Sequence, residues 1–181
     1  MFHSTTERLI DYWRSRGRDG RVPTRASIDP ADFSELAPQV FILGRAHAGV
    51  YPVRLAGGFV AELHKRDLRR QNGLSLWAQK DRSRLQTALE EARRRPQPLV
   101  ASAEVITEGA SMGMEVMFAP LSGLDGDVDR FLGFYQPLAF TARLKGRPAI
   151  ELVVRSLHRA GPANEEAPRI RLATLDGRRI A

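Results

Sequence analysis

The sequence predicts an α+β fold, an antiparallel sheet with helices on one face. Five runs read as strands, at 40–43, 51–56, 99–107, 112–121 and 130–140. Two of these precede a helical stretch and three follow it, giving a β-β-helices-β-β-β order within about a hundred residues. Grouped strands around a block of helices indicate α+β rather than alternating architecture.

Ahead of the sheet, Ser4, Thr5, Thr6 and Glu7 have capping-box spacing and start a helix over 5–16. Leu9, Ile10 and Trp13 form its apolar stripe, with Arg8, Asp11 and Arg14 around them, and Gly17 and Gly20 end it. The stripe either caps the domain core from outside or dimerises, capping being the ordinary use of a single stripe. Asp29 and Pro30 then have the chemistry of an N-cap and first helical residue for a short helix over 31–36, which Pro38 stops. Arg25 and Asp29 are placed to pair across this loop.

The first two strands are joined by 46–49, where Gly49 supplies the turn and His47 is a solvated loop residue. In the second strand Tyr51, Val53 and Leu55 make one buried face, and Pro52 marks an edge position. Gly57 and Gly58 turn the chain into a helix over 59–65 with Val60, Leu63 and His64 on one face. Asn72-Gly73 is a turn signal before the apolar patch Leu74, Leu76, Trp77. A longer helix over 82–95 buries Leu85, Ala88, Leu89 and Ala92, and Pro96 and Pro98 close it. Arg93, Arg94 and Arg95 complement the dipole in its last turn.

Two hairpins follow, turning at 108–110 and 123–127. Both parities of 112–121 are apolar, so periodicity leaves open whether Met114, Val116 and Phe118 point inward or Met117 and Ala119 do, carrying Glu115 with them. Asp125, Asp127 and Asp129 open like a calcium loop, but Arg130 and Gln136 stand where Gly and a bidentate Glu are needed. Beyond Thr141 the chain reads as a linker over 143–148. A segment over 150–158 fits helix (Ile150, Val153, Val154, Leu157) and strand (Ile150, Leu152, Val154) equally, and a loop or disordered stretch over 161–168 follows. Ile170, Leu172 and Thr174 form a late strand or a partner-binding peptide. The implied organisation is a helical cap and connector over 1–37, a core over 38–140, and an extension over 141–181.

Composition narrows the function. Of 181 residues 43% are hydrophobic, and no apolar run approaches the roughly 20 residues that span a bilayer. The N-terminus lacks the pattern of a secretory signal, so the expectation is a cytoplasmic protein with no membrane contact. With 0 cysteines there is no disulfide, thiolate metal site or flavin-cysteinyl photochemistry. A formal charge of +7 invites nucleic acid, but the arginines are spread among acids, and non-specific charge is the simpler reading. No phosphate loop, HExxH or nucleophile elbow is present, and His3, His47, His64 and His158 lack a paired carboxylate at useful spacing. No catalytic or metal site is expected.

Taken in order, Tyr12-Trp13, Pro23 with Arg25, Ile28-Asp29-Pro30, Leu36 with Pro38, Phe41-Ile42-Leu43, Tyr51 with 54–57, Met117 with Pro120-Leu121, and Arg130 with Leu132-Gly133 form a spaced series. In that series the chain resembles the single-domain bacterial PAS proteins of the PAS_5 type, common in alphaproteobacteria. It departs from them at Lys65, where the family usually has glycine before the Arg-Asp-Leu segment. The resemblance implies a five-stranded antiparallel sheet wrapped by helices, a cytoplasmic location and a signalling role without a known reaction; it implies no particular cofactor.

The function expected is a non-enzymatic sensory and interaction module that dimerises and binds an unidentified signalling protein. A small apolar or aromatic ligand would enter a cavity between helices and sheet, lined by Leu63, His64, Trp77, Leu89, Met114, Val116 and Tyr135, although most such residues simply fill a core. Leu9, Ile10 and Trp13 are the cap or dimer candidates. The alternatives are a haem sensor ligated by His64 and a basic nucleic-acid-associated regulator using Arg93, Arg94, Arg95 and the tail.

Overall fold

The computed structural model describes residues 1–17 and 21–161. Its sheet is built from β1 (Val40–Gly44), β2 (Val53–Ala56), β3 (Leu99–Thr107), β4 (Ala110–Ser122), β5 (Val128–Pro137) and β6 (Glu151–Arg159), in the order β2-β1-β5-β4-β3-β6. Every neighbouring pair is antiparallel. The helices are α1 (Ser4–Arg16), α2 (Gly58–His64) and α3 (Gln79–Arg94).

Among the described residues the sheet has six strands where the sequence predicted five. Residues 151–159 become β6 because β3 would otherwise be an unpaired edge, and pairing Val105 with Leu152 and Ala103 with Val154 buries both partners. The sheet thus extends past the expected core boundary at 140. β5 ends at Pro137, earlier than expected, and Leu138 and Phe140 are exposed. A 3-10 turn, Thr141–Leu144, runs into the start of the expected linker, and its Leu144 is buried. Gly20, the stretch 162–168, and Ile170, Leu172 and Thr174 lie outside the described residues.

Helices cover both faces rather than one. α2, α3 and the 3-10 turn Gly73–Leu76 pack on one face of the sheet, while α1 and the 3-10 stretch Pro30–Gln39 pack on the other. This settles the ambiguity of β4: Met112, Met114, Val116 and Phe118 join the first core, and Met117, Ala119 and Leu121 join the second. A strand covered on both faces has no polar parity to reveal its orientation. Glu115 lies on the α1 side, where its carboxylate accepts from the His3 amide at 3.0 Å.

That contact also resets the start of α1. His3, not Ser4, is the N-cap, its Nδ1 accepting from the Thr5 amide, and Glu7 receives the Phe2 amide instead of closing a capping box. Asp29 caps the next segment as expected, accepting from Ala31 at 2.9 Å, but Arg25 reaches the Ile28 carbonyl rather than Asp29. That segment runs through Pro38 to Gln39 as 3-10 turns kinked at Phe33, which buries Phe33 and Leu36. β2 is an edge strand, in keeping with Pro52. A register shift opposite Ile42 and Leu43 takes Leu55 out of the face of Val53 and leaves it 45% exposed.

At the opposite edge, α3 begins earlier than expected. The amide of Ala78, which precedes it, donates to the Leu152 carbonyl, and Asp81 in its first turn accepts from the Val154 amide at 2.9 Å. The first half of the β6 edge is thereby closed to further strand pairing. No described helix is long and apolar enough to cross a membrane.

Candidate functional site

The space between the sheet and α2 and α3 holds the cavity residues the sequence proposed. α2 ends at Lys65, whose left-handed backbone (φ 45°) stops the helix and leaves Leu63 and His64 facing the core. Opposite, alternation along β5 points Phe131, Gly133 and Tyr135 inward. Gly133 has no side chain because the Phe41 ring lies directly over it, and an added Cβ would fall within that ring. Phe41 then meets Tyr135 edge-on with ring centroids 5.2 Å apart, while Trp77 packs against Phe118 at 6.2 Å.

His64 Nε2 and the Tyr135 hydroxyl are 3.2 Å apart, and both side chains are buried. Burial, reinforced by the positive charge of Arg66, pushes the imidazole down to about 4, so it is neutral at physiological pH. Burial also drives the Tyr135 phenol upward. Two neutral groups sharing one hydrogen bond satisfy each other inside an apolar layer.

The void left by this packing is about 10 Å³, bordered by Phe41, Leu43, Val53, Val60, Leu68, Gly73, Leu76, Trp77, Phe118 and Tyr135. That is room for about one water molecule, against roughly 300 Å³ or more for a small-molecule site. Of the seven cavity candidates, Trp77 and Tyr135 border the void; Leu63, Leu89, Met114 and Val116 belong to the same core without lining it, and buried His64 reaches it only through its bond to Tyr135. Sequence reasoning missed Leu68, a single leucine between Arg66-Asp67 and Arg69-Arg70 that is only 2% exposed. Its isolation among charges was the available signal. The residues do not fit a haem, since His64 Nε2 is directed at Tyr135 and the void beside Tyr135, among the described residues, is about 10 Å³.

Leu9, Ile10 and Trp13 are buried against the opposite sheet face, and Trp13 Nε1 donates to the Pro120 carbonyl at 2.6 Å. Within this chain the stripe packs on the sheet as a cap. A second polar cluster ties the β1–β2 connection to α3: Glu90 accepts from Arg45 Nε at 2.7 Å, the Tyr51 hydroxyl at 2.6 Å and Arg93 Nε at 3.1 Å. Burial raises the Glu90 carboxyl, but these bonds outweigh it and hold the group down to about 2. Arg93 is thus committed to Glu90, while Arg94 and Arg95 are exposed. Among the described residues no group of three or more His, Asp or Glu side chains is arranged to hold a metal ion.

Similar folds occur in solved structures. They include the dark state of the LOV domain of the blue-light photoreceptor Aureochrome1, with 12% identity over 59% of this chain and 80% of that one and a TM-score of 0.47. The LOV protein of Rhodobacter sphaeroides matches with 13% identity over 64% and 73% and a TM-score of 0.46. A light-oxygen-voltage domain studied with a flavin analogue gives 13% over 64% and 87%, with a TM-score of 0.48. No curated protein matches the sequence. The model of the PAS domain family matches residues 1–136, running from α1 almost to the end of β5, and the chain belongs to that family.

Proposed function

We propose that this PAS domain, a member of a family of signalling sensor modules, works as a non-enzymatic interaction module in the bacterial cytoplasm. It acts as a homodimer that binds a signalling protein, rather than as a holder of a resident small molecule. The observation that supports this reading is the closed interior: Leu68, Trp77, Phe118 and Tyr135 leave about 10 Å³ where a ligand would sit. Affinity for a ligand would first have to cover the cost of repacking that core.

A native mass spectrum of the purified chain tests this. The expected species is a dimer of twice the polypeptide mass with nothing added. An additional non-covalent mass would replace the reading with a small-molecule sensor, and a bare monomer would remove dimerisation from it.

A further inference from the structure

We infer that the turn over residues 65–70 is a docking surface for an acidic protein segment, an inference that rests on the interaction-module reading and names the chemistry of the partner. The turn is bracketed by two non-glycine residues in left-handed backbone, Lys65 (φ 45°) and Arg70 (φ 63°). L-residues occupy that region at a cost, so the surroundings must hold it. The Arg70 amide donates to the Val53 carbonyl at 2.9 Å, the Val53 amide donates to the Gln71 carbonyl at 2.9 Å, and Leu68 is anchored in the core beside Trp77 and Tyr135.

The held turn displays Lys65, Arg66, Arg69 and Arg70, all exposed, with exposed Arg54 next to Val53 on the adjoining strand. Lys65 lies 3.6 Å from Glu62, but among the described residues Arg66, Arg69 and Arg70 have no carboxylate partner. Asp67 is occupied by the turn itself, accepting from the Arg69 amide at 2.9 Å. Elsewhere Arg8 pairs with Glu35, Arg16 with Asp32 and Arg130 with Asp129, while Arg84, Arg94 and Arg95 also lack a carboxylate partner among the described residues, so the turn is set apart by three such arginines held on one rigid loop.

Unpaired guanidinium groups on a fixed turn suit carboxylates, which they bind through paired N–H donors. A protein segment fits better than nucleic acid. The charges are confined to one turn instead of tracking a phosphate backbone, Asp67 sits among them, no aromatic side chain stands in the turn to stack a base, and exposed Leu55 adjoins Arg54. Leu68 connects this surface to the interior, so an occupant that shifts the turn is felt at Trp77.

The test measures binding of a labelled oligo-glutamate peptide to the full chain, with fluorine NMR of fluorotryptophan-labelled protein reading Trp13 and Trp77. The variant Arg66→Gln/Arg69→Gln/Arg70→Gln is expected to lose at least about tenfold in affinity. Arg84→Gln/Arg94→Gln/Arg95→Gln, which removes the same charge from α3 and the residue that caps it, is expected to stay within about twofold. Circular dichroism verifies that both variants fold. Peptide is expected to move the Trp77 resonance and not that of Trp13. Equal losses in the two variants would assign the affinity to diffuse charge and overturn the inference. Tighter binding of duplex DNA, lost in the 66/69/70 variant, would also overturn it by making nucleic acid the occupant. Absence of peptide binding at low salt would overturn it too, while the mass spectrum would still judge the interaction-module reading separately.

Discussion

His64 on the last turn of α2 and Tyr135 on β5 are joined by a buried hydrogen bond of 3.2 Å, a side-chain link between this helix and the sheet. Burial, with the nearby charge of Arg66, holds the imidazole pKa down to about 4, and this couples folding to pH. Above the ordinary histidine value of about 6.5 both folded and unfolded states are neutral here, and the stability is fully present. As pH falls from there the unfolded chain takes up a proton that the folded chain refuses, and stability is lost until about pH 4. The loss is on the order of 3 kcal/mol. Urea unfolding across this range should show the slope in the parent chain and a flatter one in His64→Phe; an unchanged slope would assign the effect to another group.

The same pair should behave non-additively. Tyr135→Phe strands the imidazole and His64→Phe strands the phenol, each leaving a buried polar group unpaired at about 1–3 kcal/mol. The double variant leaves neither stranded, so its loss should fall short of the sum by roughly 1 kcal/mol or more. Strict additivity in a double-mutant cycle would mean the two groups do not depend on each other.

Gly133→Ala should destabilise by about 1–3 kcal/mol or more, because the new methyl group competes with the Phe41 ring for the same space. Phe41→Leu in the same chain should recover part of that loss, although on its own it costs stability. Thermal unfolding of the three variants separates this steric account from a general weakness of β5, which Phe41→Leu would not repair.

Asp81→Ala should cost about 1–3 kcal/mol by leaving the Val154 amide without its acceptor. Hydrogen exchange should speed up at Val154 more than at Leu157, further along β6. Since the side chain also blocks that sheet edge, the variant should self-associate more in sedimentation. Uniform acceleration along β6 would indicate that Asp81 does no more than support α3.

The elements that local pattern describes were legible. β3 occupies the residues the sequence predicted, and Leu9, Ile10 and Trp13 form the buried stripe of α1. Asp29 caps its segment, and Val60, Leu63 and His64 share the buried face of α2. The candidate site was legible only as a core. Trp77 and Tyr135 could be placed at the void, but Leu68 has neither strand nor helix periodicity around it, and nothing local says that the interior closes to about 10 Å³.

The sequence by itself determined the α+β class, the positions of most strands and turns, and the apolar stripe of α1, because each depends on residues a few positions apart. Tertiary structure alone decided that residues 151–159 are a strand, since that choice needed the open edge of β3. It also decided that helices cover both faces, which a strand apolar on both parities permits but does not require. The His64–Tyr135 bond spans 71 positions in the chain, and only the packing of α2 on β5 brings its two halves within reach.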